Sequence, residues 1–218
     1  MTDNRSMSTS LPERSLERYD EYLRRLPLRE RKKLRTRKAI QDHALRLFTE
    51  QGYAATTVEQ ICAAAEISPS TFFRYFPTKE DVVITDEYDP ILIEMFRHQP
   101  RELSPIEALR AALRDIFPYV YEQERETITR RTRLMLNEPA LRGRLFEELR
   151  TGTQAAIAEL AAERTGHDPG DQRVQVFAWA VLGAMMSALY AWLDSGGNLD
   201  LPALVDENLA FLDAGLPL

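Results

Sequence analysis

Between residues 24 and 46 stand ten Arg or Lys side chains (24, 25, 29, 31, 32, 33, 35, 37, 38 and 46) against two acids, Glu30 and Asp42. That is a local charge of +8 in a chain of 218 residues whose net charge is −6. Cationic groups at this density are suited to neutralising a row of phosphates and releasing their counterions. A basic end on an acidic body fits a nucleic-acid-binding module on a soluble carrier, although a solvated basic helix would carry the same charge. Covalent chemistry has no comparable cluster. His43, His98 and His167 are far apart in sequence, and no GxGxxG, P-loop or HExxH motif is present. The Glu147–Glu148 pair reads as a solvated helix face. Catalysis, a cofactor and a metal site are therefore not expected. The single cysteine, Cys62, cannot form an intrachain disulfide, which suits a reducing cytoplasm.

The elements that must position the basic side chains are helices; no hairpin dipeptide or period-two alternation stands out. Residues 1–12 are polar and expected to be disordered, and residues 1–28 contain no apolar signal segment. Leu16, Tyr19, Leu23 and Leu26 predict a short helix over 13–26, ended by Pro27. A long helix over about 29–51 buries Ile40, Ala44, Leu47 and Phe48 and is capped by Gly52. Thr56 or Thr57 caps the next, with Glu59 or Gln60 at the capping-box position, and Val58, Ile61, Cys62 and Ala65 form its buried stripe. Ser68 caps a brief helix with Pro69 in its first turn, and Pro77 ends it. A fourth helix starts at Thr78 and holds Pro90, where a kink or break is expected. Further helices are expected from 105, with a kink at Pro118, and at about 124–136, 138–165, 171–194 and 201–214. The fold class is all-α: an extension (1–28), a helix-turn-helix DNA-binding domain (29–82) and a helical ligand-binding and dimerisation domain (83–218).

Residues 56–79, TTVEQICAAAEISPSTFFRYFPTK, place two short capped helices across a tight turn, which is helix-turn-helix construction. From Thr36 to Val82 the chain resembles the TetR family of regulators, through Ile40, ALRLFTEQGY (44–53), TTVEQI (56–61), AAAEIS (63–68) and STFFRYFPTKEDV (70–82). The resemblance implies a three-helix DNA-binding domain, a homodimer, and a fourth helix linking a ligand pocket to duplex DNA. Matching positions then implies that Pro69, Ser70 and Thr71 reach base edges. Phe73 would touch a sugar or methyl, and Arg74 a guanine or phosphate. Tyr75, Lys79 and Thr57 would contact phosphate, and Arg35 and Arg37 the neighbouring groove or backbone. Glu66 departs from the family, which usually has Gly at that turn.

Residues 176–193 carry no charge over 18 positions. That is the lower edge for a membrane span, but a helix buried in a soluble core or dimer is expected. Around its axis Val174, Phe177, Val181, Met185, Leu189 and Trp192 form a large apolar face. Ala180, Gly183, Ala184, Ser187 and Ala191 form a small-residue face. An isologous dimer is expected from that second face together with Leu204, Leu209, Phe211 and Leu212. Phe117, Tyr121, Met135, Trp179, Met186 and Tyr190 supply an apolar, adaptable set for a small apolar effector, though ordinary core packing uses the same residue types. LRERKK (28–33) and DEYDP (86–90) resemble a TetR subgroup with acyl-CoA-type ligands, which includes regulators associated with mycofactocin systems. The expectation is a cytoplasmic repressor released from a palindromic operator by such an effector, with no membrane partner. An activator or ligand-independent regulator of the same fold stays open, as does a protein-interaction adaptor using the basic arm.

Overall fold

A computed structural model describes residues 21–85 and 89–218, and the secondary structure of those residues is helical throughout. Residues 21–25 are helical; the rest of the expected first helix, with Leu16 and Tyr19, lies outside the described residues, as does most of DEYDP. Helix α1 spans Leu28–Gln51, α2 Val58–Ala64, α3 Pro69–Tyr75 and α4 Asp81–Ile84. Helix α5 spans Asp89–Arg97, α6 Pro105–Asn137 and α7 Pro139–Glu148. A π-helical turn, Leu149–Thr153, joins α7 to α8, Gln154–Thr165; α9 is Gln172–Asp194 and α10 Leu201–Asp213.

Local chemistry sets most of these boundaries. Thr57 and Gln60 cap α2 reciprocally, and Ser104 and Glu107 do the same for α6. Gly166 ends α8 in the left-handed conformation. Three boundaries depart from expectation. The fourth helix stops after Ile84, with Thr85 extended, so Pro90 falls in the first turn of α5, where its missing donor costs nothing. The long helix α6 runs through Pro118 and bends instead at Glu124 (φ −115°, ψ 15°), whose carboxylate is held by Lys38 of α1 at 2.8 Å. The expected single helix over 138–165 contains the π turn.

Two main cores result. Ile40, Ala44, Leu45 and Phe48 of α1 close over Ile61, Cys62, Phe72 and Phe76. This core continues to Val83 and Ile84, past the expected boundary at 82, and takes in Met135 and Leu141 from the C-terminal half. The second core gathers α5, α6, α9 and α10 around Leu109, Ile116, Val181 and Trp192; Tyr22, from the segment before α1, is buried in it.

Glu66 has φ 54°, the left-handed region that glycine usually fills. It ends α2 with the paired bonds of a Schellman turn: its own amide donates to the Ala63 carbonyl, and that of Ile67 to Cys62. The left-handed turn is therefore formed without glycine. Glu66→Gly is expected to raise stability by about 1 kcal/mol, read as a higher urea midpoint. An unchanged or lower midpoint would show that the conformation is not strained here.

Candidate nucleic-acid interface and effector cavity

The exposed edge of α3 is built from its cap outward. Ser68 Oγ accepts the Thr71 amide at 3.2 Å, and its hydroxyl lies 2.9 Å from that of Ser70. Phe72 and Phe76 turn into the core, their ring centroids 5.9 Å apart. The helical repeat therefore points Pro69, Ser70, Phe73 and Arg74 outward, and Phe73 is 51 % exposed. A large aromatic ring left in water on a seven-residue helix is costly unless something covers it. Thr71 and Tyr75 are half-buried, and Thr57 stands exposed at the start of α2.

An open cleft of about 630 Å³ runs between the start of α1 and α3, lined by Leu28, Arg29, Glu30, Lys32, Lys33, Arg74 and Tyr75. Its excess of cations suits a phosphate strand passing between the two helices. Arg74 lies over the Tyr75 ring at 5.4 Å. Arg29, Lys32 and Lys33 were visible in the sequence only as part of a basic run; the one-residue rotations of α1 decide which of that run meets α3.

Two expected contacts are turned inward. Arg37 donates to Thr85 Oγ1 at 2.5 Å and lies over the Phe76 ring at 4.7 Å, so it braces α1 against the ends of α3 and α4 rather than reaching a neighbouring groove. Lys79 Nζ donates to the carbonyls of Tyr53 and Thr56, each at 3.0 Å, and sits over the Tyr53 ring at 4.1 Å. Its charge ties down the loop ahead of α2 instead of projecting to phosphate. Burial and the neighbouring Glu80 push the Tyr53 hydroxyl well above its ordinary range, and it remains the protonated donor to Glu80 Oε1 at 2.8 Å. Arg35, by contrast, is exposed on α1.

Two cavities of about 240 and 230 Å³ open in the C-terminal half. Phe117 and Met135 line both, and Met186 lines the second. Three other expected wall residues lie elsewhere. Tyr121 accepts the Trp192 indole N–H at 2.9 Å and is packed in the core behind the cavity. Trp179 and Tyr190 are 42 % and 50 % exposed, on the side of α9 away from the cavity. Their apolar character suits a pocket wall, but α9 packs inward through Val174, Ala178, Val181, Ala188 and Trp192.

The cavity walls also contain Gln41 and Glu124 in the first and Glu148 in the second. Gln41 belongs to α1, and the two carboxylates are linked to the DNA-binding half through basic side chains. The buried Gln41 amide donates to the carbonyls of Val82 and Thr85 at 2.8 and 3.3 Å. Glu124 pairs with Lys38. Glu148 lies 3.7 Å from Arg144, which donates to the buried Asp81 at 2.9 Å. A ligand in either cavity would adjoin side chains linked to α1 or α4.

The outer face of α9 exposes Val176, Trp179, Gly183, Ser187, Tyr190 and Ala191, with Ala180 and Ala184 half-buried. By length and composition α9 could cross a membrane, yet its other face packs on α8, α6 and α10. On α10, Phe211 is exposed and Leu204 and Leu212 are half-buried beside it. Leu209 is fully buried between the chain's own helices and so cannot belong to a surface between copies. A Cβ at Gly183 would meet nothing within 4 Å, so packing inside this chain does not require a glycine there.

A family model for bacterial regulatory proteins of the tetR family matches residues 40–84, and one for the MftR C-terminal domain matches 103–217. The HTH-type transcriptional regulator TcmR of Streptomyces glaucescens is 35 % identical over 164 residues, covering 72 % of this chain and 73 % of that protein. The putative mycofactocin biosynthesis transcriptional regulator MftR of Mycobacterium tuberculosis is 31 % identical over 158 residues, covering 71 % and 78 %. Among solved structures, Thermus thermophilus FadR, a TetR-family transcriptional repressor in complex with lauroyl-CoA, superposes with a TM-score of 0.55 at 25 % identity, covering 84 % of this chain and 95 % of that one.

Proposed function

Because the chain belongs to the TetR family of transcriptional regulators, we propose that it is a cytoplasmic repressor that binds a palindromic operator as a homodimer and leaves it when a small apolar effector fills the cavities beside α6 and α9. The observation that carries the DNA-binding part is the exposed Ser70–Phe73–Arg74 edge of α3 beside a cleft lined by Arg29, Lys32 and Lys33. Base-edge contacts come from α3 and Thr71, and orientation comes from the cleft, Arg35 and the N-terminus of α2 at Thr57. Dimerisation is supported by the uncovered apolar side of α9 and α10. An interior glycine costs about 0.5–1 kcal/mol against alanine, and at Gly183 the benefit would be close approach of a second copy. The effector class is supported by the likeness to FadR: a fatty acyl thioester, its chain among Phe117, Met135 and Met186.

Release follows from a population shift. The effector favours the arrangement in which Gln41, Glu124 and Glu148 yield, and α1 and α4 then carry the two recognition helices away from a separation of about 34–36 Å, one turn of duplex. It moves that equilibrium only by its difference in affinity for the two arrangements. The reading is tested by footprinting on the promoter of the chain's own operon, with sedimentation of the free protein. The expected result is a dimer protecting two symmetric half-sites, with protection lost on adding lauroyl-CoA. A monomer at micromolar concentration, or a single unsymmetric footprint, would overturn the dimeric operator reading. Protection unaffected by lauroyl-CoA would overturn the acyl effector alone.

A further inference from the structure

We propose that Gln41 and Thr132 select the effector: the first cavity takes an otherwise apolar molecule carrying a neutral hydroxyl, whose O–H donates to Gln41 Oε1 and whose oxygen accepts the Thr132 hydroxyl. This rests on the reading of these cavities as the effector site. Both residues line the cavity of about 240 Å³, and each is only 3 % exposed. They stand on opposite sides of the contact between α1 and α6. Those helices meet where Lys38 holds Glu124, and again where Met135 joins the core of Ala44 and Leu45. Gln41 lies between the two meeting points on α1, and Thr132 lies between them on α6.

The Gln41 amide can face only one way. Its nitrogen donates to the carbonyls of Val82 and Thr85 at 2.8 and 3.3 Å, so turning the group over would set its oxygen against two acceptors. Oε1 can therefore only accept, and among the described residues no group donates to it; the Thr132 hydroxyl has no hydrogen-bond partner among them either. The ionic groups on the same wall are taken: Glu124 by Lys38 at 2.8 Å, and Arg131 by an interaction within the protein. Much of the remaining wall is apolar, with Leu113, Ile116, Phe117 and Val120. An apolar ligand filling this space would leave the Gln41 oxygen and the Thr132 hydroxyl buried and unpaired, which costs more than an ordinary hydrogen bond gains. A hydroxyl is donor and acceptor at once and satisfies both; an ether oxygen satisfies Thr132 alone. Gln41 also holds the end of α4, so the selecting contact lies on the DNA-binding half itself. In the sequence Thr132 belongs to RRTR (130–133), which reads as a solvated basic surface; only the helical spacing of Val120, Ile128, Thr132 and Met135 puts it on the cavity side.

The test uses equilibrium dialysis of the full chain at about pH 7, where a phenolic hydroxyl is un-ionised. The probes are 2-naphthol, 2-methoxynaphthalene and 2-methylnaphthalene, rigid molecules that differ only in the polar group, with lauroyl-CoA alongside. The chain should bind 2-naphthol about tenfold or more tighter than 2-methylnaphthalene, the effect of two neutral hydrogen bonds. The methoxy compound, which cannot donate to Gln41, should fall between them. Thr132→Val should weaken 2-naphthol about three- to tenfold and leave 2-methylnaphthalene unchanged, which also reports an intact cavity. Thr132→Ser should keep the preference for the hydroxyl. Equal binding of 2-naphthol and 2-methylnaphthalene by the unaltered chain, or a preference undiminished in Thr132→Val, would overturn the proposal. Binding of lauroyl-CoA with none of the three naphthalenes would overturn it while leaving the effector site standing. Failure of all four probes would remove both.

Discussion

Raising the salt from about 50 to about 200 mM is expected to weaken operator binding by about 10³-fold or more. The cleft supplies Arg29, Lys32, Lys33 and Arg74 from each copy, and Arg35 stands nearby. A dimer thus presents enough cations for the six to ten phosphate contacts on which that figure depends. Replacing Arg29 or Lys32 by Ala should flatten the plot of log affinity against log salt by about one to two, since each protomer loses one released counterion. Lys79→Ala and Arg37→Ala should behave differently. Their side chains hold the Tyr53–Thr56 loop and the α1–α4 junction, so affinity should fall with the stability of the domain while the slope stays the same. A shallow salt dependence in the unaltered chain would sink the assignment of the cleft. A reduced slope in Lys79→Ala would return that lysine to the phosphate contacts.

Asp81→Ala is expected to cost about 2–4 kcal/mol of folding stability, the sum of one or two charge-assisted hydrogen bonds and the desolvated groups left behind. The Asp81 carboxylate is only 2 % exposed; it accepts the Thr78 amide and hydroxyl at 2.9 and 2.8 Å and Arg144 Nε at 2.9 Å. Arg144 itself is about one-third exposed and can turn to water, which keeps the cost at this level rather than that of a fully buried ion pair. Denaturant unfolding gives the measurement. A loss below about 0.5 kcal/mol, the scale of surface substitutions, would mean that the network adds nothing. Arg144→Met leaves the carboxylate with its two Thr78 bonds and should cost less. Because Arg144 also adjoins Glu148 at the cavity wall, that variant should weaken the coupling between effector and operator more than it weakens either binding alone.

What was legible in the sequence was chemistry between residues a few positions apart. Thr57 with Gln60, Ser68 with Thr71, Ser104 with Glu107 and the glycine at 166 announce helix ends through bonds that span three or four residues. They are enough to place the two helices of the motif and the exposed edge of α3. The long-range partners were not legible. Arg37 finds Thr85 at a separation of 48 positions, and Lys79 finds Tyr53 at 26; in the sequence both are simply cations near a DNA-binding motif. The residue types of Trp179 and Tyr190 suit a pocket, but on α9 the side they occupy is decided by where α8, α6 and α10 pack. Leu209 and Phe211 show the same limit. They are two residues apart and equally apolar, yet one is fully buried and the other exposed.

The core of the DNA-binding half is completed by Met135 and Leu141, and its last short helix is clasped through Asp81 by Arg144. The reading head is therefore not an interchangeable cartridge. A chimera joined at the loop after α4 would carry residues 21–85 onto a foreign body with other side chains at the positions of 135, 141 and 144. It would gain a cavity or a clash on one side of the joint and strand a carboxylate on the other. Grafts that keep the ends of α6 and α7 with the head should switch in response to a new effector; grafts that cut between them should bind DNA without listening.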